Sequence, residues 1–313
     1  MKRIRMLSFS LLCLSVLFGV MLYKPSPADM QNVTTNNIAA KPVAATQSVT
    51  STPSAIAGST PKPKPANVEH VVILVEENHS FGQIIGKNAA PYLNSLVKEG
   101  ALFSNSFGIR HPSQPNYLAL FSGSAQNVKD DSCPHSFSTP NLATELMGAH
   151  LSFGGYSEDM PKVGFTGCSS KGYGRKHNPW VNFTNVPAGV NMPLTSLPSD
   201  FAKLPTVSFI IPNHMDDMHD GTVAQADQWL KQHIDPYVTW AKKHNSLLIV
   251  TWDEDDFSPK NHIPTLFVGP MVKPGTYSET INHYNVLRTI EDMYHLGHLG
   301  ESAKANPIKD VWK

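Results

Sequence analysis

Apolar positions along this chain fall into two patterns. Residues 71–75 (Val-Val-Ile-Leu-Val), 207–211, 247–252 and 265–268 are continuous, largely β-branched runs of strand length. Continuous rather than alternating apolar runs mark strands covered on both faces. Helical spacing predicts helices near residues 92–100, 116–122, 141–148, 223–243 and 284–294. Strands that alternate with helices argue an α/β fold, a three-layer α/β/α sandwich with a mainly parallel sheet. Residues 131–199, rich in Gly, Pro and Asn, are the least regular part and are expected to lie over the active edge, where they would set substrate choice.

The amino-terminal pattern differs. Lys2-Arg3-Ile4-Arg5 precedes an apolar stretch over residues 6–23, so residues 1–24 read as a secretory signal peptide or an amino-terminal anchor. Residues 25–66, rich in Pro, Ala, Ser and Thr, bury too little to offset ordering and read as a linker. Residues 67–313 are then the catalytic domain, long enough for one sizeable core. The chain is expected to be exported to the periplasm, the medium or the outer membrane face, touching a membrane only through an uncleaved anchor. With Cys13 inside the apolar stretch, Cys133 and Cys168 are expected to form a disulfide in an oxidising compartment, the alternative being two buried thiols.

Charge narrows the partners. Lys plus Arg and Asp plus Glu both number 25, and no interleaved basic and aromatic face accompanies that balance, so nucleic acid is not an expected partner.

Candidate chemistry sits at the strand ends. The run at 71–75 leads into Glu76-Glu77-Asn78-His79, and that at 247–252 into Asp253-Glu254-Asp255-Asp256. Open α/β sheets bind ligands beyond the carboxyl ends of their strands. Glu77, Asn78, Asp253 and Glu254 offer hard oxygen donors that suit a divalent cation and repel one another without it. Between them in sequence, Arg110-His111-Pro112-Ser113-Gln114-Pro115-Asn116-Tyr117 opens an apolar helical stretch. A helix start presents unpaired N–H groups to an anion, so a phosphoryl group transferred to Ser113 would be held there, with Asn116 one turn on and able to donate to its oxygen. The alternative is an ordinary helix start with Ser113 as N-cap.

Together with Arg175-Lys176-His177-Asn178-Pro179, Pro212-Asn213, Asp217-Met218-His219-Asp220 and His283-Tyr284, these blocks resemble bacterial phosphoesterases of the alkaline phosphatase superfamily. The likeness is strongest to the secreted acid phosphatase branch, phosphatidylinositol 3-phosphatase-like enzymes included, and phospholipases C are related. The resemblance implies one divalent metal ion, of identity left open, on Glu77, Asn78, Asp253 and Glu254, with Ser113 as nucleophile and further ligand. It implies catalytic roles for His177 and His219 at the phosphate or leaving group. His111, Asn116 and His283 would contact substrate, and Asp217, His219 and His283 are the right types for a second metal. Imidazolium donors titrating near pH 6.5 would give an acidic to neutral optimum. The expected activity is hydrolysis of phosphomonoesters, small molecules or a phospholipid headgroup, through a phosphoserine. Phosphodiester cleavage of phospholipase C type and a non-catalytic tethered binding protein are the alternatives.

Overall fold

The structure, a computed structural model, describes residues 68–313. The expected signal or anchor, the linker and Cys13 lie outside the described residues. Ten strands are present: β1 (Val71–Glu76), β2 (Ala101–Phe107), β3 (Phe153–Ser157), β4 (Ser169–Ser170), β5 (Tyr173–Gly174), β6 (Asn191–Pro193), β7 (Val207–Ile211), β8 (Leu247–Trp252), β9 (His262–Val268) and β10 (Gly275–Asn282). Seven helices accompany them: α1 (Phe81–Ile84), α2 (Pro91–Glu99), α3 (Ser113–Ser122), α4 (Leu142–Gly148), α5 (Val223–His233), α6 (Asp235–Ala241) and α7 (His283–Tyr294). Eight strands form one sheet in the order β10-β2-β9-β8-β1-β7-β3-β6, and β4 pairs with β5 apart from it. Only β9 runs against its neighbours; every other pairing in the sheet is parallel.

Both faces of the sheet are covered, which is why its central strands are apolar throughout. Val71, Ile73 and Val75 point to one face and pack with residues of α3, α4 and α7. Val72 and Leu74 point to the other, against α2, α5 and α6. The alternation along β1 thus feeds two cores, and the expected three layers are present.

Several elements depart from the sequence expectation. The single helix expected over 223–243 is two, because Pro236 in the first turn of α6 lacks an N–H and cannot continue α5. Helix α3 starts three residues earlier than the spacing predicts, at Ser113. Pro264 lies inside β9, beside a register shift in the β2 pairing between Phe103 and Ser106, where a missing donor is tolerated. Four sheet strands escaped the apolar pattern. β10 is an exposed edge strand, and β3 reads Phe-Gly-Gly-Tyr-Ser because a Cβ on Gly155 would lie 2.2 Å from the Trp180 ring. The irregular stretch at 131–199 therefore also supplies β3 and β6 to the sheet.

Helix α2 is held by a carboxylate from a distant helix. Asp227 on α5 is buried and accepts from the backbone N–H of Tyr92 (2.9 Å) and of Leu93 (2.8 Å), in the first turn of α2. It satisfies two donors that have no intrahelical partner and complements the helix dipole. Asp227→Ala leaves both donors buried and is expected to lower the unfolding free energy by about 2–4 kcal/mol in urea titrations; a loss under about 0.5 kcal/mol, the size of an ordinary surface change, would contradict this role.

Candidate functional site

Strands β1 and β8 pair in parallel register, Glu76 opposite Trp252, so Glu77 and Asp253 emerge side by side at the carboxyl edge. Between them enters Ser113, the first residue of α3. Its Oγ lies 3.0 Å from Oε2 of Glu77 and 3.3 Å from Oε1 of Glu254. The capping alternative fails, since Pro112 occupies the N-cap position and the helix start has no side-chain cap. At the other end α3 stops at Gly123, whose φ of +66° and the Leu299 carbonyl, 2.0 Å from where a Cβ would stand, admit only glycine. Every residue of α3 is buried, so the hydroxyl is presented by a helix that cannot shift freely.

The second oxygen of Glu77 accepts from the Tyr117 hydroxyl at 2.6 Å and lies 3.0 Å from Nε2 of His177. The other ring nitrogen of His177 is 3.3 Å from Oδ2 of Asp217. Burial raises the Glu77 carboxyl, but the His177 charge and the two hydrogen bonds outweigh it and hold the group down at about 2. Burial likewise pulls His177 down, and the Glu77 charge with the Asp217 contact carries it up to about 9. His177 is therefore an imidazolium clamped between carboxylates, and the expectation that it loses its charge near pH 6.5 is corrected. Burial pushes Asp217 up to about 6.

Asp253 is less well satisfied. Its Oδ1 accepts from the Asn78 backbone N–H at 3.2 Å, while its buried Oδ2 and the Asn78 side-chain oxygen have no hydrogen-bond partner. Burial, then the charges of Glu77 and Glu254, raise its pKa well above the carboxylate range. Burial raises Glu254 to about 7, against the opposing hydrogen bond from His111. Unpartnered oxygens among mutually repelling carboxylates are what an oxygen-liganded divalent cation would relieve, and Glu77, Asn78, Asp253, Glu254 and Ser113 could hold one. Among the described residues, the acidic and imidazole groups that already place ligand atoms close enough together to share an ion are Glu77, His177 and His219, and His214, His219 and Asp220; Glu77, Asp253 and Glu254 are not such a group and would have to close in on an ion.

Three expected substrate contacts are committed elsewhere. Asn116 accepts from the N–H groups of Ile109 (2.8 Å) and Arg110 (3.1 Å) and donates to the carbonyls of Arg110 (2.7 Å) and Pro112 (3.1 Å). Both its amide protons are used on the turn that delivers Ser113, so none is left for a phosphoryl oxygen. His111 spans Oε2 of Glu254 (2.6 Å) and the Ser258 carbonyl (3.1 Å) and so orients Glu254. His283 donates from Nε2 to the Asp253 carbonyl at 2.7 Å, and burial drops its pKa to about 4. It braces the end of β8 and, among the described residues, joins no group able to share an ion with Asp217 and His219. The expected second metal set is not assembled.

His219 stands at the more open side, with Nδ1 2.7 Å from Asp220 and Nε2 3.1 Å from the Lys176 ammonium. An ammonium can only donate, so Nε2 carries the lone pair and Nδ1 the proton. The expected disulfide between Cys133 and Cys168 is present, with Cα atoms 5.9 Å apart. Sequence reasoning missed Tyr117, Asp131 and His214. Tyr117 carried a usable signal, four residues past Ser113 on the same helical face; Asp131 sits on an irregular loop and carried none.

A buried serine and a carboxylate cluster at the carboxyl edge of a mainly parallel sheet define a hydrolase of the phosphoester-cleaving class. The chain belongs to the Phosphoesterase family, whose model matches residues 86–297. It is 52% identical over 246 residues to phosphatidylinositol-3-phosphatase of Mycobacterium tuberculosis, covering 78% of this chain and 82% of that protein. To phosphate-repressible acid phosphatase of Penicillium chrysogenum it is 33% identical over 243 residues, 70% of this chain but only 58% of the fungal protein. Among solved structures, an alkaline phosphatase superfamily protein from Vibrio parahaemolyticus superposes with a TM-score of 0.52 at 14% identity, covering 78% of this chain and 71% of that one, a likeness of fold.

The raised pKa of Glu254 has a stability consequence. Its carboxyl ionises near 4.5 in the unfolded chain and near 7 in the folded one, so the folded state loses stability as pH rises through that window. In chelator, Glu254→Gln is expected to melt progressively higher than the unsubstituted chain between pH 4.5 and 7. A melting-temperature difference that is the same at pH 4.5 and pH 8 would refute the assignment.

Proposed function

We propose that this phosphoesterase is an exported, metal-dependent acid phosphatase that hydrolyses phosphomonoesters through a phosphoserine on Ser113. The observation that carries the reading is the Ser113 hydroxyl, buried at a helix start and directed at Glu77 and Glu254 instead of capping its own helix. The names of the bacterial and fungal relatives support monoester hydrolysis, and the degree of identity to the mycobacterial protein makes a phosphoinositide headgroup the leading substrate class. The basic and apolar amino-terminal pattern supports export, as does the Cys133–Cys168 disulfide.

A divalent cation on Glu77, Asn78, Asp253 and Glu254 would lower the pKa of the serine hydroxyl and offset charge on the phosphoryl oxygens. Ser113 Oγ attacks phosphorus in line with the scissile P–O bond, and its proton passes to a carboxylate it already faces. Glu254, which His111 orients, is the acceptor, because Tyr117 and His177 already occupy Glu77. His177 acts by fixing Glu77 in place. The scissile P–O bond breaks as the Ser113 O–P bond forms, and the leaving alkoxide takes its proton from solvent water at the open side where His219 stands. Water then attacks phosphorus, the Ser113 O–P bond breaks, and the hydroxyl is restored.

Ser113→Ala is expected to cut kcat for p-nitrophenyl phosphate by at least about a thousandfold with little change in melting temperature. Chelation should abolish turnover of the unsubstituted chain, and one divalent cation should restore it. Faster hydrolysis of bis-p-nitrophenyl phosphate than of the monoester would favour the phospholipase C-type alternative, and full activity in Ser113→Ala would end the phosphoserine reading.

A further inference from the structure

Asp131 lies against the first turn of α3, beside the residue that follows Ser113. Its Oδ1 accepts from the Gln114 backbone N–H at 2.9 Å, and its Oδ2 pairs with the Lys176 ammonium at 3.0 Å. Gln114 directly follows Ser113, and its N–H is one of the first-turn donors of α3 with no intrahelical partner. The two oxygens of one carboxylate therefore span a helix-start amide and a fixed cation beside the nucleophile, which is how two non-bridging oxygens of a phosphate would span them. Burial works against the Lys176 charge, but Glu77 and Asp131 more than compensate and keep it an ammonium.

The surroundings hold this pairing in place. Cys133, two residues past Asp131, is bonded to Cys168, whose carbonyl accepts from the Arg175 N–H at 3.0 Å, next to Lys176. The Arg175 guanidinium donates to the carbonyls of Thr166 (2.6 Å), His135 (3.1 Å) and Val181 (3.1 Å) and to the Asn182 side chain (3.0 Å). The loop carrying Asp131 and the segment carrying Lys176 are thus stitched together on either side of the contact. The Asp131 side chain itself is 29% exposed, so it faces solvent on one side.

Resting on the phosphatase reading, we infer that Gln114 N–H and Lys176 form the oxyanion subsite and that Asp131 is its internal competitor, a carboxylate that substrate and product phosphate must displace. A displaced Asp131 stays close to the bound dianion and repels it, so the chain binds inorganic phosphate more weakly than its donors alone would allow and releases product more readily.

The test is calorimetric titration of the metal-loaded full chain with inorganic phosphate, beside phosphate inhibition of p-nitrophenyl phosphate hydrolysis. Asp131→Asn keeps an acceptor for Gln114 and removes the charge; it is expected to lower both the Kd and the inhibition constant for phosphate by about tenfold or more. Asp130→Asn, which alters a neighbouring exposed charge, is expected to change either by no more than about twofold. Lys176→Met should weaken phosphate binding. An unchanged or higher phosphate Kd in a folded Asp131→Asn, the result expected if Asp131 merely caps α3 or orients Lys176, overturns the inference. Turnover by the unsubstituted chain tests the phosphatase reading separately, because phosphate binding is read without it.

Discussion

The constraint on which this structure turns is the burial of several carboxyl groups at one sheet edge. Glu76 and Glu77 are adjacent and fully buried, yet strand alternation sends them to opposite faces and their pKa values in opposite directions. Glu77 meets the His177 imidazolium and two hydroxyls and stays ionised. Glu76 has no hydrogen-bond partner on either oxygen, and burial followed by the charges of Asp217 and Glu77 raises its pKa well above the ordinary value. An isolated buried carboxylate is too costly to keep. The fold therefore supplies compensation where the charge is to be kept, and Ser113 lies inside that compensating shell.

Rigidity around the site comes from side chains that bond to backbone. Asn116 uses all of its hydrogen-bonding capacity on residues 109–112, and His283 pins the Asp253 carbonyl. Asp255 accepts from the N–H groups of Ser258 (2.8 Å) and His262 (2.9 Å) and so shapes the loop against which His111 rests. Each of these groups sets the position of a residue that faces Ser113. Orientation held to within tenths of an ångström is what a reaction with little covalent demand on the protein requires.

The sequence made the central frame legible because strands covered on both faces must be apolar throughout, and 71–75, 207–211 and 247–252 have no other reading at that length. It also exposed the acids at the ends of β1 and β8, since polar residues that abruptly end such runs have few places to go. β10 and β3 were not legible, one being a solvent-facing edge and the other shaped by the Trp180 ring lying against glycines. A local pattern carries no record of a neighbour that arrives from elsewhere in the chain. The same holds for Asp131, whose partners lie 17 and 45 residues away.

The expected substrate contacts that instead meet partners inside the protein share a physical reason. Asn116, His111 and His283 have chemistry that suits a phosphate, but all of them found backbone or carboxylate partners that build the site itself, whereas donors whose partner is a displaceable side chain, as at Asp131, stay open to a ligand. Residue type identifies what a group could do; its remaining hydrogen-bonding capacity decides what it does. At the carboxyl edges of β1 and β8 capacity remains on the second oxygen of Asp253 and the side-chain oxygen of Asn78, beside a Ser113 hydroxyl shared between two acids, and beyond the ion pairs they make, both ring nitrogens of His177 and Oδ2 of Asp217 also lack a hydrogen-bond partner. Unpartnered buried atoms occur elsewhere too, at Tyr173 and Ser208 for example, so capacity alone does not locate the site; the parallel pairing of β1 with β8, which gathers Asn78, Asp253 and Ser113 at one edge, does.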